Sequence, residues 1–343
     1  MPRVPFVIAP VRSGSILAAL GDVRGEHTVK RVLAVTGAVL SLAACSSERE
    51  AATVCLETAL PDPASPEAGM VWVPGGVVTL GSEDFFPEER PVRTARVEGF
   101  WIARHEVTNA QFAAFVEATG YVTVAEREGA NAGGGAVFGP GVQVRDWSDI
   151  RTWWRFDPQA SWRKPQGSRS GVEDRGHFPV VQIAYEDALA YARWLGHDLP
   201  SEAEWEHAAG GGLEGEPYVW GSEVRPGDAY MANHWQGIFP VEDNGADGHA
   251  GLAPVGCFAA NGYGLHDMAG NVWEWTSTVW EREGFRVIKG GSFLCSDTYC
   301  HRYRPAARQP GDETFSTEHL GFRTIWRGDG PQVSLTETAG DGR

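Results

Sequence analysis

Residues 286–300 read Arg286-Val287-Ile288-Lys289-Gly290-Gly291-Ser292-Phe293-Leu294-Cys295-Ser296-Asp297-Thr298-Tyr299-Cys300. A short strand over Arg286–Ile288 is predicted to run into the glycine pair Gly290-Gly291, which permits a tight turn. Two cysteines follow, and thiols at this spacing can bind one soft metal ion or close one disulfide. The stretch therefore predicts a strand that ends in a turn carrying either a metal site or a disulfide.

The composition favours an irregular fold. The chain has 343 residues, including 14 Trp and 43 Gly, and its 42% hydrophobic content suffices for one large or two modest cores. Many tryptophans among many glycines indicate long loops that are anchored by large aromatic side chains. The net charge is −16 without any cluster of Lys and Arg. We therefore expect neither a phosphate-binding surface nor a nucleic-acid partner.

The N-terminal residues have the pattern of an export signal. Lys30 and Arg31 precede the apolar stretch Val32–Ala44, which is too short to span a bilayer comfortably. The stretch runs into Cys45 as Leu-Ala-Ala-Cys, which resembles a bacterial lipobox whose cysteine is acylated. Residues 1–45 are thus predicted to be a signal peptide with a lipobox, with an ordinary hydrophobic helix as the alternative. Residues 1–28 are interpreted as a mis-assigned start. The absence of Asp after Cys45 favours a periplasm-facing lipoprotein of the bacterial cell envelope, in the outer membrane rather than the inner.

Three further segments are predicted. Residues 46–69 are rich in Ser, Glu, Ala and Pro and are typical of an extended tether. A short strand from Met70 to Val73 then opens a single domain over residues 70–327, which no comparable linker interrupts. Residues 328–343 are predicted to be a disordered tail.

Capping signals predict three helices inside this domain. Thr108 and Gln111 form a capping box, and Gly120 is placed to end that helix. A second helix is expected over Tyr185–Leu195, where apolar residues recur at helical spacing. A third helix is expected to begin at Ser201.

The other elements are predicted to be short strands and long loops. Strands are expected at 97–102 and 321–325, in addition to the strand before the glycine pair. Glycine-rich loops are expected at 129–141 and 210–247. Loops of this length inside a compact domain usually carry function or need a bound ion.

Six segments together resemble one known family, the formylglycine-generating enzymes. They occur in the family's order, and the resemblance extends from about Met70 to Arg327. It implies an irregular, C-type-lectin-related α+β fold with short strands, few helices and long loops. The segments are Gly75-Gly76, Leu80-Gly81-Ser82, Glu106-Val107-Thr108-Asn109, Leu199-Pro200-Ser201-Glu202-Ala203-Glu204-Trp205-Glu206, Gly270-Asn271-Val272-Trp273-Glu274-Trp275 and Lys289-Gly290-Gly291-Ser292.

The resemblance implies an oxidoreductase that depends on copper and O2. Such an enzyme converts a cysteine in the Cys-x-(Pro/Ala)-x-Arg segment of an unfolded sulfatase to Cα-formylglycine, and we expect it to be a monomer. Cys295 and Cys300 would bind Cu(I), with the substrate cysteine as a third sulfur ligand, and Ser292 would help to position O2. Loss of a hydrogen from the substrate Cβ would leave a thioaldehyde, which hydrolyses to formylglycine.

The resemblance also implies two structural Ca²⁺ sites in oxygen-rich loops. One set of ligands would be Asn233, Asp247 and the main-chain oxygens of His234 and His249. The other would be Asp267, Glu274 and the main-chain oxygens of Gly270 and Val272. A carboxylate at position 267 suits a hard cation better than an amide. On the residues alone, however, Asp-Asn-Gly clusters are more typical of turns.

Two other functions remain open from the residues alone. Cys295 and Cys300 could form a permanent disulfide in a calcium-stabilised, non-catalytic binding module of the envelope. The same fold could also oxidise another thiol-bearing peptide. Cys55 and Cys257 could pair and fasten the tether to the domain.

Alternatives also remain for side chains around the thiols. Trp153 and Trp154 are candidates to line a peptide groove, whereas most other tryptophans are expected in the core. The acid–histidine neighbours at 105–106 and 206–207 are interpreted as structural, because they lack partners at helical spacing. Three arginines after the thiols are expected either to orient the substrate backbone or to form ion pairs with buried acids: Arg302, Arg304 and Arg308.

Overall fold

The computed structural model describes residues 55–127, 134–139 and 152–331. All of them belong to one compact unit, residues 50–343, and the other unit, residues 1–49, lies outside the described ranges. The predicted signal peptide, the tether up to residue 54 and the tail beyond residue 331 lie outside them as well. Within the described ranges, no helix combines the length and the apolar character needed to cross a membrane.

The helices form where the capping signals predict them. In α1, the Thr108 hydroxyl accepts from the Gln111 N–H (3.3 Å) and the Gln111 side chain accepts from the Thr108 N–H (3.0 Å). Gly120 ends this helix in the left-handed conformation. Ser201 and Glu204 form the same box before α3. The α-helices of the described ranges are α1 (Asn109–Thr119), α2 (Tyr185–Trp194) and α3 (Glu202–Gly210).

The strands are short, as expected. In chain order they are β1 (Met70–Val73), β2 (Gly76–Leu80), β3 (Arg93–Val97), β4 (Phe100–Ala103), β5 (Gly135–Phe138), β6 (Trp154–Asp157), β7 (Gly237–Ile238), β8 (Glu242–Asp243), β9 (Trp273–Val279), β10 (Phe285–Lys289), β11 (Arg308–Asp312), β12 (Leu320–Gly321) and β13 (Ile325–Trp326).

Two small sheets organise these strands. One is antiparallel and has the order β1-β4-β13. The other has the order β11-β10-β9-β12, in which β12 runs parallel to β9 and the remaining pairs are antiparallel. Two-stranded ribbons join β2 with β3, β5 with β6 and β7 with β8. The predicted irregular α+β fold is thus confirmed, and β10 leads directly into the glycine pair.

Large aromatic side chains fill the core between these elements. Trp162, Trp205, Trp273 and Trp275 are all fully buried. A buried indole loses its water partner and needs a protein acceptor for its N–H. Trp205 has one, because its Nε1 donates to the Glu274 carboxylate at 2.7 Å. The tryptophan-rich composition therefore supplies the core that the short strands cannot provide alone.

The single strand predicted at 97–102 is wrong. β3 ends at Val97 and β4 begins at Phe100, with a tight connection at Glu98-Gly99. At Gly99, an added Cβ would lie 2.4 Å from the Trp72 ring. Glycine permits this close approach, and the strand is interrupted at these two residues while the antiparallel register continues, with Gly76 opposite Val97 and Val73 opposite Phe100.

Other predicted elements also differ from the structure. The strand predicted at 321–325 is divided between β12, which pairs with β9, and β13, which pairs with β4. The loop predicted at 129–141 contains β5 within its described part, and the loop predicted at 210–247 contains β7 and β8. β5 begins with Gly135-Ala136, which have low strand propensity, so its pairing with the distant β6 determines its conformation.

The described part of the predicted tether is attached to the domain. Cys55 forms a disulfide with Cys257, so the pairing that the sequence left open is present. Gln111 Nε2 on α1 also donates to the carbonyl of Ala59 at 2.9 Å. The packed domain therefore begins near residue 55 rather than at Met70.

The first residues of the predicted tail also lie against the domain. Trp101 Nε1 donates to the carbonyl of Asp329 at 3.0 Å. Gly330 packs on the Trp72 ring, where an added Cβ would lie 2.7 Å away. The packed domain thus extends at least to residue 330, and residues 332–343 lie outside the described ranges.

Candidate metal-binding and active site

The end of β10 is fixed by a buried ion pair. Lys289 is fully buried, and its Nζ lies 2.7 Å from Oε2 of Glu206 on α3. The other carboxylate oxygen of Glu206 accepts from the Gly81 N–H, also at 2.7 Å. A buried charge is tolerated when a counter-charge and hydrogen bonds compensate it, as they do here. The end of β10 is therefore fixed in position, and so is the start of the turn that follows it. Glu206 has a structural role, as predicted.

The turn after β10 requires its two glycines. Gly290 and Gly291 both have positive φ, 96° and 74°. A Cβ on Gly291 would lie 2.7 Å from the carbonyl oxygen of Arg302, and one on Gly290 would lie 3.1 Å from the Trp205 ring. Backbone therefore packs directly on backbone at this turn, which brings residues 292–300 beside residues 302–304.

Cys295 and Cys300 come together in the segment after this turn. Their sulfur atoms are 3.0 Å apart, and both residues are free cysteines with 1% and 9% exposure. A disulfide has sulfurs about 2.0 Å apart, so this is a reduced pair in contact. The Cys295 N–H donates to the carbonyl of Ser292 (2.9 Å) and the Cys300 N–H to that of Ser296 (3.1 Å). Local turns thus hold both sulfurs in place.

The two sulfurs differ in protonation. The hydrogen bond from the Cys295 thiol lowers the pKa of Cys300 to about 7, and the nearby charge of Arg302 acts in the same direction. Burial, followed by the hydrogen bond to Cys300, raises the pKa of Cys295 well above its ordinary value. The pair therefore loses its first proton from Cys300 near neutral pH, while Cys295 keeps its proton and shares it with the Cys300 thiolate. This arrangement offers a metal ion one ready thiolate.

Ser292 lies in the turn that places Cys295. It is fully buried, and its Oγ accepts from the Leu294 N–H at 3.3 Å. Its carbonyl accepts from the Cys295 N–H. The structure thus brings Ser292 next to the thiol pair, as predicted, with a hydroxyl proton that these two bonds do not use.

An aromatic wall borders the thiol segment and consists of Phe138, Trp153, Trp154, Trp235, Phe239 and Tyr299. Tyr299 is 41% exposed and stacks on Phe239 with ring centres 4.7 Å apart. The main-chain N–H of Trp235 donates to the carbonyl of Cys295 at 2.8 Å. The wall therefore contacts the thiol segment at Cys295 and is exposed to solvent at Tyr299.

Two indole N–H groups of the wall have no acceptor within the described ranges. Trp153 and Trp235 are 4% and 9% exposed, and neither Nε1 has a hydrogen-bond partner among the described residues. A buried donor without a partner costs about 1–3 kcal/mol. Each of these N–H groups is therefore a donor that remains available for a carbonyl oxygen from outside the described residues. Trp154, the other candidate for a groove, lies 4.8 Å from the ring of His319.

The arginines after the thiols form ion pairs. The alternative role of orienting a substrate backbone receives no support from these contacts. Arg302 differs from the others because its Nη1 also lies 3.7 Å from Cys300 Sγ, a contact that the sequence did not predict. The pairs are Arg302 with Glu88, Arg304 with Glu89 and Arg308 with Glu202.

The structure assembles the residues of the first predicted calcium site. Asp247 accepts from the His234 N–H (3.2 Å) and the His249 N–H (2.9 Å). Gln236 Nε2 donates both to Asp247 Oδ2 and to the His234 carbonyl, so two predicted ligand oxygens converge on one donor. The Asn233 amide nitrogen donates to the carbonyl of Gly251 at 2.9 Å. The loop thus gathers oxygens in the way that a hard cation requires.

The second predicted site is more crowded. Glu274 is fully buried and paired with Arg323, whose Nε and Nη2 lie 2.7 Å from its two oxygens. The Asp267 carboxylate accepts from the Gly256 N–H at 2.6 Å. Burial, and then the charge of Asp267, raise the pKa of Glu106 well above its ordinary value. Several buried carboxyl groups therefore share this region with a single guanidinium.

Glu106 is a candidate ligand that the sequence interpretation missed. It is fully buried, and its Oε2 has no hydrogen-bond partner among the described residues. Its position at the start of the Glu106-Val107-Thr108-Asn109 segment was the available signal. Over the described ranges, no three or more side chains of His, Cys, Asp or Glu are grouped to hold a metal ion. Any calcium here would therefore depend on main-chain oxygens.

Known proteins are similar to this chain in sequence and in fold. Residues 57–328 match the family model of the sulfatase-modifying factor enzyme 1-like domain. The chain is 47% identical over 290 residues to the formylglycine-generating enzyme of Mycobacterium tuberculosis, which covers 75% of this chain and 97% of the relative. It is 37% identical over 281 residues to the inactive C-alpha-formylglycine-generating enzyme 2 of Mus musculus, which covers 78% of this chain and 89% of the relative.

A solved structure shares the architecture. PvdO from Pseudomonas aeruginosa superimposes with a TM-score of 0.55 at 25% sequence identity, covering 75% of this chain and 93% of that chain. The likeness thus covers most of the described domain, which includes the turn after β10.

The shared proton of the thiol pair predicts a pH-dependent thiolate signal. In the reduced, metal-free protein, we expect absorbance near 240 nm to rise with a midpoint near pH 7, because the pKa of Cys300 is lowered to about 7 from 9.0. Cys295→Ala removes the main cause and should move the midpoint upward, toward the ordinary value. Cys300→Ala should abolish the transition near pH 7. A wild-type midpoint near 9 would contradict the arrangement.

Proposed function

Because the chain belongs to the sulfatase-modifying factor enzyme 1-like family, we propose that it converts a cysteine of a sulfatase polypeptide to Cα-formylglycine. The observation that carries this proposal is the reduced pair Cys295 and Cys300, buried in contact at the turn after β10. The formylglycine-generating enzyme of Mycobacterium tuberculosis, 47% identical to this chain, supports the same reaction here.

Copper and O2 complete the proposed reaction. Two thiolates are a donor set that selects Cu(I) over harder ions, and the reduced pair fits this ion. When bound, copper would supply the redox centre at which O2 is reduced and the substrate thiol is activated. The chain's own residues would hold the ion through Cys295 and Cys300 and keep bulk water away by burial. Ser292 would offer its hydroxyl proton beside the ion.

The aromatic wall is the proposed binding surface for the substrate segment. An extended peptide carries free carbonyl groups, which suit the unpaired N–H groups of Trp153 and Trp235. The Pro or Ala of a Cys-x-(Pro/Ala)-x-Arg segment would pack on the aromatic rings, and its Arg would meet a chain of net charge −16. Because the sulfurs are buried, the substrate has to enter as an unfolded segment.

The non-catalytic binding module is the second candidate. The relative from Mus musculus that is named inactive favours it, at 37% identity. That module was defined by a permanent bond between Cys295 and Cys300. Their sulfur separation of 3.0 Å supports the enzyme instead.

The cell envelope is the proposed location. The Cys55–Cys257 disulfide supports it, because structural disulfides form and persist in oxidising compartments. We propose a monomeric, periplasm-facing lipoprotein that is anchored through Cys45, in the outer membrane rather than the inner. Its partner would be a co-exported sulfatase that is still unfolded.

Two structural Ca²⁺ ions are also proposed. The first would be bound by the loop of Asn233, His234, Asp247 and His249, where two oxygens already converge. The second would be bound near Asp267, Gly270, Val272 and Glu274, with Glu106 as an added ligand. The support for the second is the Oε2 of Glu106, a buried oxygen without a hydrogen-bond partner among the described residues, because buried polar atoms normally have one.

Conversion of a short peptide tests the proposed reaction. The purified protein, loaded with Cu(I) and supplied with O2 and a thiol reductant, should convert Leu-Cys-Thr-Pro-Ser-Arg to the aldehyde, detected by mass spectrometry. Cys295→Ser and Cys300→Ser should each give no detectable aldehyde, because each removes half of the ion's protein ligands. The double variant Cys55→Ser/Cys257→Ser should retain conversion, since that disulfide lies outside the thiol site.

Two outcomes would contradict this proposal. One is an unmodified peptide despite full copper loading. The other is conversion by either single cysteine variant at the rate of the wild type. A peptide in which Pro and Arg are replaced by Ala checks the substrate preference, and equal conversion of that peptide would favour the oxidation of thiol-bearing peptides in general.

Thermal unfolding tests the calcium proposal. Saturating Ca²⁺ should raise Tm over that in a chelator by about 10 °C, or about 5 °C for each of the two sites, as expected for binding to the folded state at about 100 times Kd. Glu106→Gln and Asp247→Asn should each reduce this shift. Glu204→Gln, which alters an ion pair with Arg327, should leave the shift unchanged. An unchanged Tm with Ca²⁺ would exclude both sites.

A further inference from the structure

The Arg302 guanidinium lies between the thiol pair and a carboxylate. Its Nη1 is 3.7 Å from Cys300 Sγ, while its Nε and Nη2 donate to Oε1 of Glu88 at 3.1 and 2.5 Å. The Arg302 N–H also donates to the Cys300 carbonyl at 2.7 Å. One nitrogen of the Arg302 guanidinium therefore faces the Cys300 sulfur, and the other two face the Glu88 carboxylate.

Burial and stacking hold Arg302 in this orientation. Its side chain is 16% exposed, against 25% for Glu88, and its guanidinium carbon lies 3.6 Å from the centre of the Phe86 ring. An arginine keeps its positive charge at every relevant pH. Because the pair is largely buried, solvent and salt screen this charge weakly.

The neighbouring arginine provides a comparison. Arg304 pairs with Glu89 and stacks on Phe85 at 3.6 Å, so it repeats the arrangement of an arginine held by a carboxylate and a ring. Its third contact is the carbonyl of His301. At Arg302 the corresponding contact is a sulfur. The carboxylate and the ring hold both arginines in the same way, so these contacts are sufficient to pack the side chain. The contact with sulfur is not needed for that packing.

The contact between Arg302 and Cys300 would affect the stability of the copper-loaded thiol pair, because that pair would carry a charge. Two thiolates and one monovalent ion carry a net charge of −1, and a nearby fixed positive charge stabilises such an anion in a poorly screened site. We propose that Arg302 is a positioning residue that stabilises the copper-loaded form of Cys295 and Cys300, and that Glu88 aims its guanidinium while moderating its charge. This inference rests on the proposed copper site.

Copper affinity tests the inference without any activity assay. The Cu(I) affinity of the full protein would be measured by competition with bicinchoninic acid, a coloured chelator of Cu(I), for Arg302→Met, Arg302→Lys and Glu88→Gln. Arg286→Met is the matched control, because the Arg286–Glu313 pair has similar exposure (22% and 29%) and Arg286 lies on β10, before the glycine turn. Thermal unfolding of each metal-free variant would confirm that it is folded.

The expected changes in Cu(I) affinity differ in direction among the variants. Arg302→Met should weaken Cu(I) binding by at least about tenfold, because the positive charge beside Cys300 is lost. Arg302→Lys should restore most of the affinity, since the charge is retained. Glu88→Gln, whose amide oxygen still accepts from Arg302, should bind Cu(I) at least as tightly as the wild type. Arg286→Met should leave the affinity unchanged.

Three results would overturn the inference. Arg302→Met could bind Cu(I) as the wild type does, Arg302→Lys could be as weak as Arg302→Met, or Glu88→Gln could lose affinity together with Arg302→Met. The last result would indicate a purely structural ion pair. If Arg302→Met does not fold, the Arg302→Lys and Glu88→Gln affinities decide. A wild type that binds no Cu(I) would instead contradict the proposed function, so the two failures are distinguishable.

Discussion

The buried ion pair between Lys289 and Glu206 fixes the point from which the site is built. It holds the end of β10 against α3 at 2.7 Å, and the glycines at 290 and 291 then turn the chain so tightly that backbone contacts backbone. Cys295 follows within one short segment of this turn. Because the turn is anchored at its origin, the two sulfurs meet without long elements to position them.

Buried ion pairs, in addition to the short helices and strands, hold distant segments of this fold together. Arg323 with Glu274 and Arg304 with Glu89 are almost completely buried pairs that connect segments far apart in the chain. Breaking a buried pair leaves an uncompensated charge, which costs several kcal/mol, so each pair specifies a single arrangement of the loops. The fold can therefore hold long irregular segments in fixed positions around the thiols.

Local signals determined what the sequence predicted correctly. The helices were predicted because Thr108 and Gln111 cap through neighbouring residues, and the thiol pair because both cysteines follow one glycine turn. What was missed depends on distant partners. The strand at 135–138 forms through β6, and the contact of Arg302 with Cys300 depends on the folded chain, as does the Cys55–Cys257 bond that the sequence left open. Sequence spacing carries no signal of such contacts. The predicted tether therefore extended further along the chain than it does in the structure, and the contact of Arg302 with the sulfur was not predicted.

The state of the thiols connects fold with function. Cys55 and Cys257 are bonded while Cys295 and Cys300 are free, so one chain holds an oxidised pair and a reduced, buried pair. The most direct test maps these states by mass spectrometry after acid trapping and alkylation of the protein as isolated from its host. The account predicts alkylated Cys295 and Cys300 together with a Cys55–Cys257 linked peptide. A peptide linked through Cys295 and Cys300 would contradict it.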